Sequence, residues 1–173
     1  MLLATTTARK CLLAISVSVL MSAAGAPVAT AEPSEHPIKV LDRSTQLLFT
    51  TLDNGTQDIN PDEIWRVRAA STSDEPPGSI VIDYGFERIY VKDSLDNVVA
   101  KIRAQRDLRK FTTPGGAPIY IAPDKVIGVN RPIAHEHHQN SNAIIIVKEG
   151  QQQVQETRQA ITDVLKQAQK PPL

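Results

Sequence analysis

The 173-residue chain has a single cysteine, Cys11, only 4% aromatic residues, and no charge excess of either sign, with 19 basic and 19 acidic side chains. Each shortage removes a class of protein. One cysteine builds no disulfide framework, so the fold must hold by packing alone. A formal charge of zero supplies no positive field for neutralising phosphates, which sets nucleic acid aside as a partner. Wholesale disorder is excluded by the 41% apolar content, which is ordinary for a chain with a core.

Long apolar runs are also missing. The longest, Cys11 to Met21, follows Arg9 and Lys10 and leads into small residues ending at Ala29-Thr30-Ala31. It is too short, and too rich in Ser and Ala, to span a bilayer stably. A basic start, a short apolar centre and small residues two apart make residues 1–31 a secretory signal peptide cleaved after Ala31. Removing them leaves 142 residues with 17 basic and 19 acidic groups, no cysteine, and therefore neither a thiolate metal site nor a cysteine nucleophile. The mature chain is expected to be periplasmic or secreted, with no transmembrane span. Residues 32–43 read as a flexible tail that includes His36.

What the chain has is self-similarity. Phe49-Thr50-Thr51 returns as Phe111-Thr112-Thr113, and at the same offset of 62 Ile59, Pro61, Asp62 and Val67 match Ile121, Pro123, Asp124 and Val129. Ile64 is answered by Val126. Seven identities in nineteen positions, where unrelated sequence gives roughly one, point to an internal repeat. Farther along, Val91-Lys92-Asp93 matches Val147-Lys148-Glu149 at an offset of 56, which makes the second copy six residues shorter and puts Gly150 where the first has Ser94. The copies are 44–106 and 107–170.

Asn54-Gly55 tolerates the positive φ of a hairpin turn, so 47–52 and 57–59 read as paired strands. Pro61-Asp62 makes a turn, Ile64 to Val67 a strand, and Ser79 to Asp83 with Phe86 to Val91 a second hairpin around Tyr84-Gly85. Ser94 is a good N-cap for a helix whose Leu95, Val98, Val99 and Ile102 line one face. In the second copy Ala143 to Val147 reads as a strand, and Val154, Thr157, Ile161, Val164 and Ala168 as the helix stripe, with glutamines on the polar face. The expected fold is α+β: two tandem β-β-β-β-α repeats, too small to stand alone and packed as a pseudo-two-fold pair without a long free linker at 105–110.

Asn54-Gly55, Ile59, Asp62-x-Ile64, Ser79-Ile80-Val81-Ile82, Tyr84-Gly85 and Val91-Lys92-Asp93-Ser94-x-x-x-Val98 together resemble the short FlbD-type proteins of flagellar operons. The likeness covers 49–102 well and 111–165 less well. It implies a small hairpin-and-helix module and carries over no catalytic residue. In general character the chain is also similar to small exported proteins of nitrogen-fixing soil bacteria. That adds host association, such as nodulation efficiency, as an expectation that no motif carries.

The one concentration of ligand-type groups is His135-Glu136-His137-His138. Two imidazoles and a carboxylate suit Zn²⁺ or Cu²⁺. The helical zinc-protease pattern needs histidine at 139, where Gln139 stands, so the competing readings are a loop metal site and a solvated polar loop. No Gly-x-Ser-x-Gly elbow occurs. Asp62, Glu63 and Asp124 fall at turns rather than across a cleft, and Gly115-Gly116 precedes a strand, not a phosphate-cradling helix. Asn54-Gly55-Thr56 fits a glycosylation sequon, but the same triplet serves the hairpin. On the strand at 64–68, Trp65 and Val67 face the core while Arg66 and Arg68 share the other side, which either stays solvated or meets an acidic partner. The leading expectation is an exported, non-catalytic interaction protein of the cell envelope. The alternatives are an exported metal-binding protein using His135, Glu136, His137 and His138, and a small hydrolase.

Overall fold

The structure, a computed structural model, describes residues 46–168, all within one compact unit, Val40–Leu173. The signal peptide, its cleavage at Ala31, the 32–43 tail with His36, residues 44–45 of the first copy and residues 169–170 of the second lie outside the described residues. No helix among those described is long and apolar enough to cross a membrane.

The chain is mixed α+β with antiparallel sheets and two helices. Its first half runs β1 (Leu47–Thr50), β2 (Thr56–Ile59), a 3₁₀ turn (Pro61–Glu63), β3 (Ile64–Ala69), β4 (Ile80–Tyr84), β5 (Glu87–Val91) and α1 (Leu95–Arg103). The second half runs β6 (Arg109–Thr112), β7 (Pro118–Ile121), a 3₁₀ turn (Pro123–Lys125), β8 (Val126–Asn130), β9 (Ala143–Val147), β10 (Gly150–Val154) and α2 (Arg158–Ala168). Five strands, not the expected four, precede each helix: the Pro-Asp turn separates two full strands from three.

Local chemistry accounts for these elements. Asn54 turns the first hairpin with φ 65°, and Asn60 caps the 3₁₀ turn by accepting the Asp62 N–H at 3.0 Å. Gly85 reverses the chain between β4 and β5 at φ 48°. Ser94 caps α1 by accepting the Asn97 N–H, and Val98, Val99 and Ile102 are the face it buries.

The second half departs from the sequence expectation at 150–154. This glutamine-rich segment is the strand β10, paired with β9 from Gly150 opposite Val147 to Val154 opposite Ala143. Gly150 therefore opens a strand and does not stand in for Ser94. Thr157 does: its hydroxyl accepts the Ala160 N–H at 3.3 Å one residue before α2. Val154 closes β10 as Val91 closes β5, so the 56-residue offset is an accidental match of Val-Lys-acid, and the halves are nearly equal in length. Both third strands carry an irregularity at the same place, between Ile64 and Arg66 and between Val126 and Gly128.

Five strands in the order β5-β4-β3-β7-β6 form one sheet that crosses from one half to the other, because β3 pairs with β7 from Arg66 opposite Ile121 to Arg68 opposite Ile119. Strands β10-β9-β8 and β1-β2 form the rest. A two-fold pairing would add β8 against β2, and neither sheet contains it.

Two cores lie on this framework and exchange side chains. Phe49, Ile64, Val67, Ile82, Val98 and Ile102 build the first, which also takes Tyr120 and Ala122 from the second half. Phe111, Ile121, Ile145, Val154 and Ile161 build the second, which takes Trp65 from the first. The connection at 104–108 is fastened at both ends. Leu108 is buried, and Arg106 donates to the Pro61 carbonyl at 2.7 Å and to both oxygens of Asp124 at 2.7 and 2.6 Å, tying the two Pro-Asp turns together.

Candidate functional site

Strand β3 has neighbours on both edges, and both its faces are covered. The irregularity between Ile64 and Arg66 sends Trp65, 5% exposed, into the second core while Val67 stays in the first, and Arg66 at 9% and Arg68 at 7% are buried as well. The solvated arginine face expected from the alternation is therefore replaced by a buried ion network, because carboxylates arrive from elsewhere in the chain. Arg66 donates Nε to Asp83 on β4 at 2.7 Å and Nη1 to Gln152 on β10 at 2.7 Å. Its guanidinium also lies 4.3 Å from the centre of the Trp65 ring. Arg68 forks onto both oxygens of Glu75, with Nη1 at 2.7 Å from Oε2. Arg88 on β5 closes the set at 2.7 Å from Asp83 and 3.2 Å from Glu75.

The loop 70–79 exists in this shape because Glu75 organises it. One oxygen of that carboxylate also accepts the backbone N–H groups of Ser71 and Thr72, at 2.8 and 3.3 Å. The Arg68 bond, helped by these two, holds the carboxyl down at about 2 against the opposing effect of burial. Burial pulls the Arg66 guanidinium below its ordinary value while Asp83 pushes it up. For Arg88 burial acts in the same direction, but the bonds to Asp83 win and its value is raised. Nearby, burial and the 2.7 Å bond to Glu87 push the Tyr84 hydroxyl up to about 12, so it stays protonated.

Beside this network lies a groove of about 600 Å³ lined by residues of both halves. Arg66 and Arg68 form its floor, with Gln151, Gln152, Gln153 and His138 on one wall and the Thr113–Ala117 turn on the other. No carboxylate lines it. The Arg66 Nη2 is uncommitted to any described residue, and the glutamine amides add neutral donors and acceptors. Arginine and amide donors of this kind are chemically suited to a carboxylate. The groove's two hydroxyls, of Ser71 and Thr113, accept hydrogen bonds from Arg68 Nη1 and from the Ala117 N–H.

The histidine segment lies between β8 and β9. His135 has φ 72°; His137 Nδ1 accepts the Ile133 N–H at 3.0 Å, and His138 Nδ1 accepts the Asn140 N–H at 3.1 Å. These bonds shape the loop and spend one ring nitrogen of each. Among the described residues no three His, Cys, Asp or Glu side chains gather as a metal-holding group. His135, His137 and His138 line one cavity with Gln139 and Ser141 without gathering to metal-holding distance, and Glu136 is not part of that lining. Only His138 reaches the groove, where its backbone N–H donates to Gln153 Oε1 at 2.9 Å. Asp62 and Asp124 serve turns and the Arg106 clasp, 4.0 and 2.6 Å from its guanidinium.

Sequence reading missed Glu75 and Asp83 as partners of the arginines. The available signal was their opposite charge on a short loop and on the adjacent strand. Comparison with protein-family models, with curated proteins and with solved structures finds no match for this chain.

Proposed function

We propose that this is an exported, non-catalytic interaction protein of the cell envelope. In this reading it is built by writing one FlbD-like hairpin-and-helix unit twice, and it binds an acidic segment of a partner in the groove between the copies. Export rests on the leader at 1–31, and duplication on the matched residues and on the succession of elements that occurs twice. The observation that carries the binding role is the groove itself: two buried arginines on its floor, glutamines on its wall and no acid in its lining. Arginines held by carboxylates behind them are preorganised, so an incoming anion does not bear the cost of ordering them. Duplication explains why the groove exists at all, since its floor comes from the first unit and both of its walls from the second.

Titration calorimetry of the chain with short glutamate-rich, neutral and lysine-rich peptides tests the reading. Saturable binding of the acidic peptide alone is expected, weakening as salt rises and falling at least tenfold in Gln151→Glu, which puts a negative charge on the wall. Equal affinity for all three peptides, or turnover in a broad hydrolase screen, contradicts it.

A further inference from the structure

The strands present six sheet edges, and four of them are engaged. β1 meets β5 through the Thr51–Val91 bridge and the Lys92 N–H to the Thr50 carbonyl at 3.3 Å. β6 meets the end of β10 through the Gln155 N–H to the Thr112 carbonyl at 2.9 Å. The outer edges of β2 and β8 pair with no strand among the described residues. On β8 the Val129 carbonyl is taken by the exposed Arg158 side chain at 3.1 Å instead.

These two edges are the counterparts of the pair already joined inside the chain. β8 holds the place in the second half that β3 holds in the first, and β2 the place of β7. Trp65 on β3 enters the core across the β3–β7 seam and is 5% exposed, whereas Ile127, in the corresponding place on β8, is 70% exposed. β8 reads Val-Ile-Gly-Val-Asn and carries none of the charges that guard an edge, unlike β5 with Glu87 and Arg88 or β6 with Arg109 and Lys110.

We propose that β8 of one copy of this chain pairs antiparallel with β2 of a second copy, repeating the β3–β7 seam between molecules and burying Ile127. The register follows from that seam: Gly128 opposite Ile59, Val129 opposite Asp58 and Asn130 opposite Gln57. Arg158 releases the Val129 carbonyl as the strand arrives. Each copy offers both edges, so the contact closes reciprocally as a dimer or runs on as a chain.

The test uses the full chain with Cys11→Ser, carrying either Gln57→Cys or Asn130→Cys, both at exposed positions. Mixing the two single variants under mild oxidation is expected to give a covalent heterodimer in at least tenfold excess over either variant alone. Sedimentation of the unmodified chain is expected to show an assembly at tens of micromolar that Ile127→Lys weakens at least tenfold. A chain that stays monomeric at those concentrations overturns the proposal. So does a double Gln57→Cys, Asn130→Cys variant that crosslinks only within itself, since the edges would then close inside one molecule.

Discussion

The two halves run through the same strands, turn and helix, yet the first is closed and the second is not. Ile64, Val67 and Ile102 are fully buried, while Val126, Val129 and Leu165 in the corresponding places are only partly covered. The residue types are nearly the same, so composition does not explain the difference. Strand pairing does: β3 has β4 on one side and β7 on the other, whereas β8 has only β9. A side chain's contribution here is set by how many edges of its strand are covered. The buried Arg66–Asp83 and Arg68–Glu75 pairs occur only in the first half because Gly128 and Asn130 stand at the corresponding places on β8.

The largest way to break this comparison is at the seam residue. Trp65→Ala removes a side chain from the second core, and urea unfolding is expected to show a loss of about 3–5 kcal/mol. Ile127→Ala under conditions where the chain is monomeric is expected to cost less than about 0.5 kcal/mol. Equal costs would mean that the seam does not distinguish the halves. Next comes the matched core pair, with Ile64→Ala expected to lose about 3 kcal/mol and Val126→Ala about 1 kcal/mol by the same measurement.

Acid is the third lever. Glu75 is held at about 2 by Arg68, below its ordinary value of 4.5, so the unfolded chain binds the proton more readily. The stability this gives is complete above pH 4.5 and is lost as pH falls toward 2, on the order of 2 kcal/mol over that window. Unfolding curves from pH 6 to pH 2 should show the loss, and Glu75→Gln should flatten it while lowering stability at pH 6. An unchanged pH slope in that variant would remove Glu75 from the account. The smallest effect is at the caps, where Ser94→Ala and Thr157→Ala are each expected to cost about 1 kcal/mol. If only Ser94→Ala does so, Thr157 is not its counterpart.

Much of the fold was legible because short-range rules decide it. The Asn54-Gly55 hairpin, both Pro-Asp turns and the capped helix after Ser94 depend on residues within a few positions of one another. The second helix was begun too early, at Val154, because Val147-Lys148-Glu149 imitates Val91-Lys92-Asp93, while Ile161, Val164 and Ala168 do lie on it. Thr157 followed by Ile161 and Leu165 at i+4 and i+8 carried the true signal, and the tight turn at Lys148-Glu149 turned the glutamines into a strand. The site was less legible. Alternation of Trp65 and Val67 with Arg66 and Arg68 reads as one wet face when the strand is considered alone. Only tertiary pairing with β4 and β7, and a carboxylate delivered by the 70–79 loop, makes that face dry.

The central claim is that the halves are interlocked through β3 and β7 and cannot unfold separately. Trp65, the only tryptophan, belongs to the first half and sits in the core of the second. Urea unfolding followed by its fluorescence and by far-ultraviolet circular dichroism is expected to give one coincident transition. Two separated transitions, with the fluorescence change completed while half of the ellipticity remains, would contradict it.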